Sequence, residues 1–391
     1  SERNRLMAHE FGQLIHHDND PFEYIWIDEG LAGLSEFISF GGSAELEEEA
    51  NSWALNSSTS LRWWDGRVSD VGSSFLFSAY LADKLGGPTA IRQMVSNPSL
   101  GGNGIENLAR NPGPGSTPVG TSMSEIYANF SAALTLDSAQ GAFGFSEIDL
   151  VDDCSIGGFC KGSISAENDQ WSEAWQSSGH SVEGWGLKSF RFTQGDGYPL
   201  SIMVQPDRFG FEGAIISKEA SSGTWTMEKL RIDSTDGRGT GLVHGFGNTT
   251  SEVLLLVWYN SLVDDCDFDF ANCGVLSGGN YPSGSFTVSA SQVTSPAEVS
   301  IDSIVGFDRD GDFLDDSVEI GMSVSSSAFS ESLSVEFSAF TNNSEHDSAD
   351  FMISVGNSEP EITSVWFTPP FTSDWSFTAK VRDITGELQD I

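Results

Sequence analysis

His9-Glu10-Phe11-Gly12-Gln13-Leu14-Ile15-His16-His17 is the stretch on which the reading of this 391-residue chain turns. Apolar residues recur at helical spacing through Met7, Phe11, Leu14 and Ile15, which predicts an amphipathic helix. Two imidazoles at i and i+4 on a helix stack on one face roughly 6 Å apart, where one tetrahedral ion meets both. A Glu directly after the first imidazole can take a proton from ion-bound water. His9 and Glu10 fit those two roles, but the i+4 position is Gln13. On a regular helix His16 lies about 10.5 Å from His9 along the axis and His17 about 12 Å, so neither can share an ion with it. Gln13 offers only an amide oxygen, a poor zinc donor beside imidazole or thiolate.

Outward from the helix comes Asp18-Asn19-Asp20-Pro21-Phe22-Glu23-Tyr24-Ile25-Trp26-Ile27-Asp28-Glu29-Gly30-Leu31-Ala32. Together the two stretches resemble the secreted zinc metallopeptidases of the hyicolysin and immune-inhibitor-A type. That pattern is His-Glu-Phe-Gln-His-Leu-Ile-His, a short acidic stretch, then Trp-x-x-Glu-Gly-Leu. The resemblance implies His9 as the first zinc ligand, Glu10 as the general base and Glu29, on a second helix, as a further ligand. Gln13 falls where the second His should stand, so that ligand does not carry over, and His16 matches the trailing His. The resemblance extends over Val71 to Leu81 and Ile91 to Val95, and so covers residues 1 to about 137. It implies hydrolysis of peptide bonds by zinc-activated water, and an N-terminal sheet subdomain closing the far side of the cleft. On that basis the chain is expected to be a fragment cut from something longer.

Composition restricts what else the chain can do. Asp+Glu is 57 against 18 Lys+Arg, a formal net charge of −39. Such a surface cannot neutralise a run of phosphates, which excludes nucleic acid as a partner, and it is repelled by anionic membranes. Hydrophobic content of 38% and aromatic content of 11% are too high for disorder. The longest apolar run, Val253 to Tyr259, is strand-sized and far short of the roughly 18 residues of a membrane span.

Three zones follow. Residues 1–145 read as helical, with further helices from about Trp26 to Phe40 and Val71 to Leu85, the latter stopped by Gly86-Gly87-Pro88. Ser122 with Glu125 is a capping box opening a helix through Leu134. Gly101 to Gly120 reads as a Gly/Pro/Asn-rich loop. Residues 146–295 switch to period two, as in Phe190/Phe192, Trp225/Met227 and Phe286/Val288, with turns at Gly195-Asp196-Gly197 and Asp236-Gly237. Residues 296–391 alternate again through Val335/Phe337, Phe351/Ile353/Val355 and Trp375/Phe377/Ala379/Val381. The expected architecture is multidomain, α + all-β. The helical C-terminal part of a zincin-type metallopeptidase domain precedes a β-sandwich and a smaller immunoglobulin-like β-sandwich.

Two features decorate the sandwiches. Cys154 with Cys160, and Cys266 with Cys273, each follow a Leu-Val-Asp-Asp string and predict two short disulfide loops, hence an oxidising compartment. Asp308-Arg309-Asp310-Gly311-Asp312-Phe313-Leu314-Asp315-Asp316-Ser317-Val318-Glu319 places acidic groups at loop positions 1, 3, 5, 9 and 12. It resembles the loops of extracellular calcium-binding repeats, with calcium held by Asp308, Asp310, Asp312, Asp316 and Glu319; Phe313 stands where Gly is usual. The expectation is a secreted or cell-surface protein binding zinc and calcium and acting on a protein or peptide substrate. The alternative is an inactive peptidase frame whose sandwiches bind surface ligands, which Gln13 favours.

Overall fold

The structure is a computed structural model. It describes residues 2–64, 66–139, 141–171, 174–260, 283–294, 298–307, 317–325, 331–341, 344–355, 361–367, 375–382 and 388–390. Seven helices come first among these residues: α1 (Glu2–Asn19), α2 (Ile25–Phe40), α3 (Ala44–Ala54), α4 (Val68–Lys84), α5 (Pro88–Val95), α6 (Gly101–Arg110) and α7 (Met123–Leu136). The starts of α3 and α7 follow local chemistry. Ser43 accepts from Leu46 N, and Ser122 with Glu125 forms the expected capping box.

The central α4 is buried on nearly every side, and α7 almost as fully. Around Phe130 an aromatic cluster fills the space between them: Trp53 stacks on it at 5.7 Å, and Phe77, Tyr80 and Tyr127 sit at 5.1, 5.5 and 6.1 Å. Two glycines let the helices approach. A Cβ on Gly72 would lie 1.9 Å from the Glu49 carbonyl oxygen of α3, and one on Gly30 would lie 2.6 Å from the Ser74 oxygen of α4.

The segment expected to be a loop from Gly101 contains α6. Its glycines disfavour helix, but Ile105, Leu108 and Ala109 are buried along one side. Its first N–H, at Gly101, donates to Glu23 Oε1 at 2.8 Å. Tertiary packing overrides propensity here. Gly104 is required by space rather than by flexibility, because a Cβ there would meet the Ser99 carbonyl oxygen at 2.3 Å.

α1 departs from the amphipathic expectation in a different way. Leu6, Met7, Phe11, Leu14 and Ile15 are all exposed, between 43% and 62%. The face that packs on α2 carries small and polar groups instead. Gly12 abuts Ser35, Ser35 Oγ donates to the Ala8 oxygen at 3.0 Å, and His16 is buried.

Strands follow: β1 (Leu150–Val151), β2 (Phe159–Cys160), β3 (Ala166–Asn168), β4 (Trp175–Glu183), β5 (Leu187–Thr193), β6 (Leu200–Pro206), β7 (Phe211–Glu219), β8 (Trp225–Lys229), β9 (Arg231–Ile232), β10 (Gly239–Val243), β11 (Thr250–Tyr259) and β12 (Ser283–Gln292). One sheet runs β4-β12-β6-β10-β9 and the other β3-β5-β11-β7-β8. Phe190, Phe192, Leu255, Phe286 and Val288 fill the space between them. The apolar run in β11 is read by its two faces. Val253, Leu255 and Val257 join that sandwich core, while Leu254, Leu256 and Trp258 join the core of the helices. A strand buried on both faces needs no alternation. Helices and first sandwich therefore share one wall. Cys154 and Cys160 form a disulfide, as expected. Cys266 and Cys273 lie outside the described residues.

The last group is β13 (Glu298–Phe307), β14 (Ser317–Ser325), β15 (Glu331–Thr341), β16 (Ser344–Val355), β17 (Glu361–Phe367), β18 (Trp375–Arg382) and β19 (Leu388–Asp390). These form sheets β13-β14-β17 and β16-β15-β18-β19, with Ile320, Met322, Val324 and Ala379 fully buried. Of the acidic loop, Asp308, Asp310, Asp312 and Asp316 lie outside the described residues; Glu319 is a half-buried residue of β14. The flanking strands form an antiparallel pair, with Phe307 opposite Ser317. No described helix is long and apolar enough to cross a membrane.

Candidate functional site

α1 and α2 cross closely because Gly12 carries no side chain: a Cβ there would come within 2.9 Å of Ser35 Cβ. The crossing brings one face of each helix together. On α1 that face holds Arg5 and His9, one turn apart; on α2 it holds Glu29 and Glu36, two turns apart. His9 Nε2 lies 3.2 Å from Glu29 Oε2, and both side chains are 19% exposed. Arg5 Nη1 lies 2.7 Å from Glu36 Oε1, which is nearly buried.

The pattern Trp26-x-x-Glu29-Gly30-Leu31 divides its labour. Trp26, Gly30 and Leu31 are buried, with Gly30 against α4. Glu29 turns to His9 of α1. Glu10 is exposed beside His9, and Gln13, one turn further, is half-buried. Thus the fold brings His9 and Glu29 together, with Glu10 next to His9 on α1. Among the described residues no three His, Cys, Asp or Glu side chains group to hold a metal.

Charge tunes this corner. The hydrogen bond to Glu29 raises the His9 pKa; burial opposes it, and the Glu29, Glu36 and Glu10 charges reinforce it. Burial likewise pushes Glu49 of α3 upward, with help from Glu36 and Glu29 and against Arg5 and His9. The carboxylates gathered at this corner favour the protonated form of His9.

A prediction follows for the metal-free protein. His9 titrates above its ordinary value of about 6.5. Its pair with Glu29 therefore contributes fully to holding α1 on α2 below that pH, and is lost as pH rises through the raised value. Glu29→Gln removes the charge and leaves the burial, so the His9 pKa falls. NMR titration of the ring proton checks this; an unchanged midpoint in the variant would show that the two side chains do not meet.

Sequence reasoning missed two pairs. Arg5–Glu36 was legible from the spacing, since Arg5 precedes His9 by four residues and Glu36 follows Glu29 by seven. His16, counted only as a trailing match, is 1% exposed, and its Nδ1 lies 2.7 Å from Asp28 Oδ1. That pair fastens the C-terminal end of α1 to the first turn of α2.

Neither a protein-family model nor a curated protein matches the chain. Among solved structures, similarity is found to a β-glucuronidase of Bacteroides uniformis at 13% identity and TM-score 0.20, covering 54% of this chain and 26% of that one. The periplasmic g-type lysozyme inhibitor PliG of Salmonella Typhimurium matches at 11% identity and TM-score 0.19, over 32% of this chain and 96% of its own. CorA, a surface-associated copper-binding protein of Methylomicrobium album BG8, matches at 12% identity and TM-score 0.21, over 33% and 98%. The chain thus spans about a quarter of the glucuronidase it matches.

Proposed function

We propose that the α1–α2 corner is a zinc-metallopeptidase-type centre in a protein that acts outside the cell, with peptides or proteins as its substrates. The observation that carries this reading is the approach of His9 to Glu29 across two helices. Zinc bonds of about 2.0–2.2 Å in a tetrahedron put neighbouring ligand atoms roughly 3.3 Å apart. The 3.2 Å between His9 Nε2 and Glu29 Oε2 fits that edge. The Cys154–Cys160 disulfide supports an oxidising compartment.

In this reading His9 and Glu29 hold zinc, with Gln13 as a weak oxygen donor. Bound zinc would supply Lewis-acid activation of water. Glu10, exposed and one residue from His9, accepts the proton. The acidic side chains Glu36 and Glu49 keep the corner attractive to cations, and Arg5 holds Glu36 in place. Calcium in the loop that includes Asp308 and Glu319 is a separate proposal of the same extracellular setting.

A second reading is favoured by Gln13 and by the direct contact of His9 with Glu29. The two side chains satisfy each other without an ion, and the fold serves as an inactive frame while the sandwiches bind a surface ligand. Elemental analysis of protein purified without chelator decides. Near one zinc per wild-type chain establishes the first reading, and peptide cleavage is then lost in Glu10→Gln. Zinc only in Gln13→His establishes the second. Zinc in neither sinks the assignment of the site.

A further inference from the structure

A cleft of about 660 Å3 lies where α2, α4 and α5 meet the chain ahead of β1. α2 offers it Leu34, Phe37 and Ile38, at i, i+3 and i+4, and α5 offers Ile91. Phe145 and Ile148 come from the chain ahead of β1. The apolar groups that α4 contributes are only methyls, those of Ala79 and Ala82, and this leaves the space open.

The walls are held by their own neighbours. Phe37 packs on Phe75 and Phe159, with ring centroids 5.7 and 6.1 Å apart. Phe145 meets Tyr80 edge-on at 5.7 Å, and its N–H donates to Asp137 Oδ1 at 3.1 Å. Leu34 and Ile148 are each 4% exposed, while Ile38, at 61%, stands at the mouth. Walls fixed in this way receive an apolar body with little ordering cost on binding.

The polar groups of the lining select the charge of the ligand. Glu147 is exposed and makes no hydrogen bond or ion pair among the described residues. Asp83, the other carboxylate, is already engaged: Oδ2 accepts from Ser146 N and lies beside Lys84 Nζ, each at 3.0 Å. A further contribution comes from α2. Gly41, its C-cap, lines the cleft, and no basic side chain stands in the last turn. The negative end of this 16-residue helix thus lies at the cleft with no cation of its own. No lysine or arginine is in the lining. An apolar interior with a negative rim selects against anions and against ligands rich in hydroxyls.

We propose that this cleft binds a small organic cation, with an alkyl or aryl body packed on Phe37, Phe145 and Ile148 and an ammonium head held by Glu147 at the negative end of α2. A volume in the middle of the ~300–1,000 Å3 range of ligand clefts suits one small molecule. The body supplies affinity through apolar area removed from water. The ammonium supplies selectivity through charge-assisted hydrogen bonds to the carboxylate. The site needs no metal, so it stands or falls apart from the zinc reading of the α1–α2 corner.

Titration of the whole chain with 4-phenylbutylamine at neutral pH and low ionic strength, followed by ligand-observed NMR, tests it. Two ligands of the same body are the controls: 4-phenylbutanol without charge and 4-phenylbutanoate with the opposite one. Saturable binding of the amine is expected, with the alcohol about fivefold weaker and the anion not bound. A net charge of −39 draws any cation to the surface, so a local variant is needed. Glu147→Gln removes one of 57 acidic side chains and leaves the overall field nearly intact. It weakens the amine by about three- to fivefold, the scale of one exposed charge pair, and leaves the alcohol unchanged. Ile38→Ala weakens amine and alcohol alike, by about threefold. Both residues are exposed, so the fold is kept. No saturable amine binding overturns the proposal, as does equal affinity for amine and alcohol, or an amine affinity unchanged in either variant. An acetylated hexapeptide of leucine and lysine bound more tightly than the amine assigns the cleft to a polypeptide and overturns it too.

Discussion

Replacing Phe130 with alanine lowers the unfolding free energy by about 3–5 kcal/mol, the range for emptying an aromatic site in a packed core. Phe130 is fully buried and touches four other aromatic rings, from α3, α4 and its own helix. Three of the four are tethered by hydrogen bonds that a swing into the vacancy would break. Trp53 Nε1 donates to the Thr59 oxygen at 3.2 Å, the Tyr80 hydroxyl to the Ala142 oxygen at 2.9 Å, and the Tyr127 hydroxyl to the Trp185 oxygen at 2.6 Å. Those tethers keep the cavity open, which places the loss toward the upper end. For a unit of this size the melting temperature falls by roughly 2–4 °C per kcal/mol. Urea unfolding followed by tryptophan fluorescence measures it. A loss below about 1 kcal/mol would mean that this cluster is not the centre of the core.

Gly72→Ala reverses the usual sign of its substitution. Inside an exposed helix, alanine gains about 1 kcal/mol over glycine. Here the new methyl would stand 1.9 Å from the Glu49 oxygen and 2.8 Å from Ala50 Cα, both backbone atoms of α3. Backbone cannot rotate away, so α3 and α4 must separate. Overpacking of this kind costs about 1–3 kcal/mol, and with no soft partner the net result is a loss of about 2–3 kcal/mol. Glu49 belongs to the acidic group around His9, so the separation also moves the His9 titration. A variant as stable as wild type, with His9 unmoved, would refute the close crossing.

How much of this was readable beforehand differs by element. The switch from helix to strand near residue 146 was plain, because period-two alternation in Phe190/Phe192 and Phe286/Val288 is a local property of a half-buried strand. The capping box at Ser122 was equally local. α6 was not legible, because what makes it a helix is distant: the Glu23 carboxylate on its first N–H and the core under Ile105 and Leu108. α1 shows the limit of periodicity. The pattern through Met7, Phe11, Leu14 and Ile15 announces a helix but not which side meets α2, and the side chosen is that of Gly12 and His16.

The site was partly legible. The family resemblance, not the spacing, set His9 beside Glu29, and the two side chains meet at 3.2 Å. Nothing in the spacing could show that Glu36 and Glu49 would gather on the same corner from α2 and α3, since that depends on how three helices cross.

The shared wall of β11 also bears on how such a chain can be recombined. An exchange that joined these helices to an unrelated partner near residue 145 would strip Leu254, Leu256 and Trp258 from the floor of the helical core. It would leave the same sheet with a greasy back. Shuffling is tolerated only where no such surface is divided, so the helices and the first sandwich travel as one heritable block, Glu2 through Gln292. The seam that inheritance can cut lies after β12, ahead of the final pair of sheets.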